Sequence, residues 1–380
     1  MNNKNWAELE KRYGKSDKTV IERFGKNFFN GIKGWQFIEE ELMDANKNGR
    51  PITMDLDVPG NVCRLNCVYC FAKVGEHTGT YYRPDKGDKP LTLKEVKKHI
   101  IEAKKLGLKS IKIIGYREPF ENPEIFDFIE FASNNEIHLV IFKACYTLGE
   151  KQFGGEIKKA INFLAQRNVS LMIKLHTLHR ETEDEIVRWR GFSEKRDSIF
   201  RALLDDGRFT DRTPTRLGIE NVISSQDIEE LFAIYEYFKM YRNVFVDLDP
   251  PIPVGRTATL EQAEKAGLMS QKKLKELCIR TYQINQKHGI PINGISPYFG
   301  GDPCSQLPNG VYLTLSGKVY TCCGGDEEIG DVRKTNLKDI FENNPHRKSV
   351  SGIYHNCPYR EKTGIVTEEF LAHAKKSLGK

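Results

Sequence analysis

The chain has 380 residues, 39% hydrophobic and 29% charged, and its 58 basic and 52 acidic residues leave a net charge of +6. That balance suits a globular protein of one or two domains, and no run approaches the ~18–20 consecutive apolar residues of a membrane helix. The positive excess is mild, and lysines such as Lys94, Lys97, Lys98, Lys104 and Lys105 recur as on a solvated helix face. With no basic-plus-aromatic motif beside them, they argue against a nucleic-acid surface.

In chain order, residues 1–50 read as a helical extension with aromatic anchors, among them Trp6, Tyr13, Phe24, Phe28, Phe29, Trp35 and Phe37. Met1–Arg12 is polar and has no apolar signal core, so a cytoplasmic location is expected. From residue 52 an alternation begins. Strands are predicted at Ile52–Asp57, Ser110–Ile114, His138–Phe142, Leu171–Leu175, Leu217–Ile223 and Val244–Leu248. Helices follow them at Leu91–Leu106, Asn122–Ser133, Glu156–Gln166, Glu183–Leu204 (with a break at Gly191), Ser225–Phe238 and Leu260–Lys287. Thr92 and Gly107 supply cap and stop for the first, and Ser224 or Ser225 a cap for the fifth. Six strand–helix units imply parallel strands with right-handed crossovers, either doubly wound or a partial barrel, with the strand C-terminal ends on one active face.

After residue 290 the pattern changes. Pro291, Pro297, Pro303 and Pro308 break helices, Val311–Leu315 and Lys318–Thr321 flank Ser316-Gly317 as a β-hairpin, and Leu337–Glu342 is a short helix. The division expected is 1–50 helical extension, 51–290 α/β body, and 291–380 a small α+β domain of hairpin plus helix.

The nine cysteines are unevenly placed. In a reducing compartment, clustered thiols suggest metal or catalysis rather than disulfides. Cys63, Cys67 and Cys70 follow the first strand at C-x3-C-x2-C spacing. Three thiolates this close suit three irons of a cubane cluster and leave a fourth open to an outside ligand. Structural zinc needs a fourth ligand, usually from a second pair, and no such pair follows within twenty residues. A thioredoxin-like C-x-x-C would leave Cys63 unexplained.

These residues resemble the radical S-adenosylmethionine (SAM) superfamily, whose motif is C-x3-C-x-(aromatic)-C after the first strand of a partial (β/α)6 TIM-like barrel. Tyr69 fills the aromatic place, and the resemblance covers about residues 52–290. It implies a [4Fe–4S] cluster on Cys63, Cys67 and Cys70. SAM would be chelated at the open iron and cleaved by one electron to a 5′-deoxyadenosyl radical that takes hydrogen from a substrate C–H bond. Further family positions fall on Glu118-Pro119 in Gly115-Tyr-Arg-Glu118-Pro119, where Tyr116 and Arg117 replace small residues, and on Lys174 and His176 after the fourth strand. Gly218 and Asn221 in the fifth strand correspond to the adenine motif, without its second glycine. Tyr69, Glu118, Lys174, Gly218 and Asn221 are thus the cofactor-binding positions implied. Pro251-Ile-Pro-Val-Gly255-Arg256 resembles a Pro-x-Gly-Arg turn of relatives with extra clusters.

Cys304 is followed by twelve residues, Gly317, four residues and Cys322, with Cys323 and Cys357 beyond. The tail resembles the SPASM/twitch extension, which carries auxiliary iron–sulfur clusters. Four cysteines fit the single-cluster twitch type, with Cys304, Cys322 and Cys357 as ligands. Neighbours in a strand point opposite ways, so Cys323 is either a fourth ligand or a thiol facing substrate. A zinc knuckle is the competing reading. Cys145, after the third strand, is a second candidate thiol, alternatively a buried core cysteine.

The resemblance implies a radical SAM oxidoreductase or epimerase-type enzyme: oxidation, epimerisation or crosslinking of a small molecule in biosynthesis. Its reducing partner would be a flavodoxin or ferredoxin. The alternatives are a maturase of a ribosomally made peptide and a non-catalytic, zinc-stabilised nucleic-acid module.

Overall fold

The computed structural model describes residues 3–26, 29, 31–57, 63–73, 89–115, 118–142, 145–223, 227–290, 304–325, 327–349, 353, 357–365 and 367. Six parallel strands form the core of the fold: β1 (Thr53–Leu56), β2 (Ser110–Ile113), β3 (His138–Phe142), β4 (Val169–Lys174), β5 (Leu217–Val222) and β6 (Phe245–Asp249). They lie side by side in the order β6-β5-β4-β3-β2-β1, each hydrogen-bonded to its sequence neighbour. A doubly wound sheet would reverse direction about a switch point. This order does not reverse, as in a TIM-like sheet.

The sheet continues past β1. Strand β7 (Gly310–Leu313) pairs parallel with β1, Thr53 opposite Gly310, and β8 (Lys318–Tyr320) and β9 (Glu328–Asp331) follow antiparallel. The hairpin expected from Ser316-Gly317 is therefore β7–β8, built onto the edge of the parallel sheet.

The helices are α1 (Asn3–Tyr13), α2 (Val20–Phe24), α3 (Glu39–Lys47), α4 (Leu93–Leu106), α5 (Glu124–Asn134), α6 (Ile157–Ala165), α7 (Arg180–Val187), α8 (Phe192–Asp206), α9 (Ile228–Glu236), α10 (Leu260–Lys265), α11 (Gln271–Lys287), α12 (Gln306–Asn309), α13 (Leu337–Glu342), α14 (Pro345–Ser349) and α15 (Pro358–Lys362). None among the described residues is long and apolar enough to cross a membrane. Helix α4 begins in a reciprocal Thr92–Glu95 capping box and stops at Gly107 in the left-handed region, as its sequence signals require.

Two helix expectations are corrected. The predicted helix 260–287 is two helices, because Gly267 takes φ +92° and Ser270 caps a new start for α11. The cap of α9 is Asp227, whose side chain accepts from the Glu229 N–H; Ser224 and Ser225 lie outside the described residues.

Main-chain pairing fixes which side chains share the sheet's inner face, since alternate residues point the same way. The N-terminal segment closes one end of that face. Lys33 N–H donates to the Thr215 carbonyl at 2.8 Å, and Ser170 Oγ donates to the Lys33 carbonyl at 2.8 Å. A Cβ on Gly34 would lie 2.3 Å from His138 Cδ2, so only glycine lets the chain in this far. Trp35 then packs edge-on against Phe142 and Phe245, with centroids 4.8 and 5.5 Å away.

Candidate active site

Cys63, Cys67 and Cys70 sit on the loop beyond β1, with Cys67 buried and the other two partly exposed. Six hydrogen bonds fix the loop's path. Asn66 N–H donates to Val187 O at 3.0 Å and Val68 N–H to Ile186 O at 2.9 Å, docking it on the end of α7. Lys73 Nζ, itself buried, donates back to Leu65 O at 2.9 Å. Arg256 Nη1 donates to the carbonyls of Asn66 and Cys67 at 2.8 and 2.7 Å, and Nη2 to Asn66 Oδ1 at 2.6 Å. Gly255 allows that approach, because a Cβ there would meet Phe71 O at 2.2 Å and its φ is +66°.

Burial pushes the Cys67 thiol up to about 12. Three thiols on one short loop, opening into a shared cavity, have the donor chemistry of an iron–sulfur cluster. Among the described residues no three Cys, His, Asp or Glu groups are disposed to hold one metal ion. A multi-iron cluster takes one thiolate per iron and makes no such demand.

Behind the triplet, Tyr69 and the end of β4 form a buried polar chain. The Tyr69 phenol lies 2.6 Å from His176 Nε2, and His176 Nδ1 lies 3.1 Å from Glu183 Oε1. Glu183 Oε2 accepts the backbone N–H groups of His176 and Thr177, each at 3.0 Å, and Arg196 Nη1 donates to Oε1 at 3.0 Å. Arg196 Nε donates to Asp197, which also accepts from the Tyr13 hydroxyl of α1 at 2.6 Å. Lys174 stands 5.0 Å over the Tyr69 ring and pairs with Glu220 at 2.9 Å.

The second cysteine group forms where the chain leaves the hairpin. Strand β8 ends at Tyr320, so the alternation expected of neighbours lapses and Cys322 and Cys323 both line the same cavity. Cys304 N–H donates to Ile353 O at 2.9 Å, and Cys357 directly precedes α15. Beside them the buried pair Lys112–Asp55 closes at 2.9 Å, and the Cys323 backbone N–H donates to Asp55. Burial works against the Lys112 charge, but the facing Asp55 outweighs it and holds the ammonium above its usual range.

One cavity of about 460 Å³ joins both groups: Cys63, Cys67, Cys70, Cys304, Cys322, Cys323 and Cys357 all line it. Of the other residues expected from sequence, Tyr69, Glu118 and Lys174 line it too. Tyr116 and Arg117 lie outside the described residues. Gly218, Asn221 and Cys145 are placed elsewhere. A Cβ on Gly218 would meet Met172 Sδ at 2.3 Å and Ile32 at 3.2 Å, so this glycine makes room for packing. Asn221 Nδ2 ties down the carbonyls of Leu175 and His176 at 2.7 and 3.1 Å. Cys145 is wholly buried in the main apolar core at φ +55°.

The sequence reading missed the inner-face charges Asp55, Lys112, Glu220, Asp247 and Asp249, all of which line the cavity. Burial, then the neighbouring Asp249, pushes the Asp247 carboxyl well above the usual carboxylate range. The signal was the two-residue period: Asp55 stands beside Lys112 in register, Lys174 beside Glu220, and Glu220 beside Asp247. The lining also includes Trp35, Phe37 and Ile38 from the N-terminal segment.

Residues 58–232, a little under half of the chain, match the model of the Radical SAM superfamily, a family whose membership implies a [4Fe–4S] cluster and SAM. No curated protein matches the sequence. Among solved structures, Streptococcus suis SuiB bound to its precursor peptide SuiA aligns at 14% identity, over 80% of this chain and 68% of that one, with a TM-score of 0.57. SuiB bound to S-adenosylmethionine aligns at 15% identity over 84% and 72%, also with a TM-score of 0.57. At that identity the likeness is one of fold.

Proposed function

We propose that this chain is a radical SAM enzyme whose first cluster is held by Cys63, Cys67 and Cys70 and whose second is held by Cys304, Cys322 and Cys357 in a twitch-type extension. Bound there, cluster and SAM supply one-electron cleavage of the sulfonium and hydrogen abstraction from a C–H bond, chemistry the cofactor carries. The observation that carries this reading is that both cysteine groups open into one cavity.

The chain's own residues position and enclose. Arg256 and Lys73 fix the first loop, and Tyr69, Glu118 and Lys174 face the space where SAM would lie. Asp55, Lys112, Asp247 and Asp249 give a polar floor suited to a small, hydroxyl- or amine-bearing substrate in biosynthesis. The net result would be oxidation, epimerisation or crosslinking. Cys323, which lines the cavity, would meet substrate or serve as a further ligand, whereas Cys145 is buried in the apolar core away from it.

A second reading, modification of a ribosomally made peptide, is favoured by the likeness to SuiB in its precursor-peptide complex. Iron and sulfide counts on anaerobically reconstituted protein test the cofactor assignment. About eight irons per chain supports two cubanes, about four removes the second cluster, and colourless protein with stoichiometric zinc overturns both.

A further inference from the structure

Tyr69 stands between two of the triplet cysteines in sequence, and its ring is gripped from outside the loop. Lys174 lies over one face at 5.0 Å, and the His176 ring sits 5.0 Å away, tilted by 51°. The phenol meets His176 Nε2 at 2.6 Å. His176 and Glu183 have no solvent-accessible side-chain surface.

Glu183 determines what His176 offers. Its Oε1 faces Nδ1 at 3.1 Å, and a carboxylate that already accepts two backbone N–H groups and one from Arg196 fixes the ring hydrogen on Nδ1. Nε2 is then an acceptor, and the Tyr69 O–H donates to it. The arrangement is built: Arg196 also donates to the Lys174 carbonyl, and Asn221 Nδ2 holds the His176 carbonyl at 3.1 Å, so the end of β4 cannot drift.

We propose that His176 and Glu183 are positioning residues for the cluster loop, holding Tyr69 and through it the Cys67–Cys70 turn. The inference rests on the radical SAM reading above. Outer partners of metal ligands typically govern metal retention by 10–100-fold. His176 acts here one residue further out, through the phenol.

The test is the rate at which anaerobically reconstituted protein releases iron to a chelator, for wild type, Tyr69→Phe, His176→Phe, His176→Gln and the Tyr69→Phe/His176→Phe double variant. Both single phenylalanine variants should release iron about tenfold faster or more. The double variant should be no faster than the faster single one, because the two residues form one contact. His176→Gln, which keeps a side-chain acceptor near Nε2, should recover most of the retention. Melting temperatures of the metal-free proteins are followed alongside, since a purely structural role would move these and leave the single effects additive. Wild-type release from His176→Phe, or additive effects, overturns the proposal. Wild-type protein that takes up no iron overturns the radical SAM reading itself, and this inference with it.

Discussion

Arg256 holds the peptide carbonyl of Cys67, donating from Nη1 at 2.7 Å across 189 residues of sequence. The same guanidinium serves Asn66 twice, and the Arg256 backbone N–H donates to Cys70 O at 3.2 Å. One planar fork thereby couples the turn after β6 to the loop after β1. Arg256→Lys cannot reproduce that fork. It should cost about 2–3 kcal/mol in urea unfolding and reduce the iron retained after desalting.

Gly255→Ala should be worse than a left-handed glycine alone explains. Gly191, left-handed at φ +84° and ψ 6° with no atom within 4 Å of where a Cβ would sit, is the control for backbone strain. Gly191→Ala should cost about 1–2 kcal/mol. Gly255→Ala adds a 2.2 Å clash with the Phe71 carbonyl and should cost several kcal/mol more, read as midpoint in denaturant and iron per chain.

Much of this was legible in the sequence because local signals agreed. The Thr92–Glu95 box, Gly107 and the apolar five-residue run of β3 each specify their element without reference to the rest of the chain. Gly115 opens the stretch that carries Glu118-Pro119, and a Cβ there would lie 1.5 Å from Asp57 Oδ1, which is why glycine is needed. What was not legible depends on distant partners. Nothing in Gly310–Leu313 announces that it pairs with β1, and nothing in Ile32–Trp35 announces that it enters the sheet's inner face. The charged floor was hidden for a similar reason: Lys112 and Glu220 look like solvated positions until the register sets them beside Asp55 and Lys174.

Lys112→Met leaves Asp55 buried without its cation and should destabilise by about 3–5 kcal/mol in urea unfolding. The double variant Lys112→Met/Asp55→Leu should recover much of that loss, since a buried pair costs most when broken singly. A double variant as unstable as the single one would show that Asp55 matters chiefly for the Cys323 backbone it accepts from.

Glu183 gives stability a pH dependence. Burial alone would push its carboxyl up, but His176 and Arg196 hold it down, at about 2. An unfolded glutamate titrates near ~4.3. A depressed folded value stabilises fully above the unfolded one and is lost as pH falls towards the folded one. The stability difference between wild type and Glu183→Gln should therefore be constant above about pH 6 and shrink between about pH 5 and 2, measured by urea unfolding across that range.

The central claim, that the triplet loop supports reductive cleavage of SAM, is tested most directly by assaying 5′-deoxyadenosine after anaerobic incubation of reconstituted protein with SAM and dithionite. Wild type should form 5′-deoxyadenosine, and a variant with Cys63, Cys67 and Cys70 all changed to alanine should form none. No product from iron-loaded wild type, or equal product from both proteins, would contradict it.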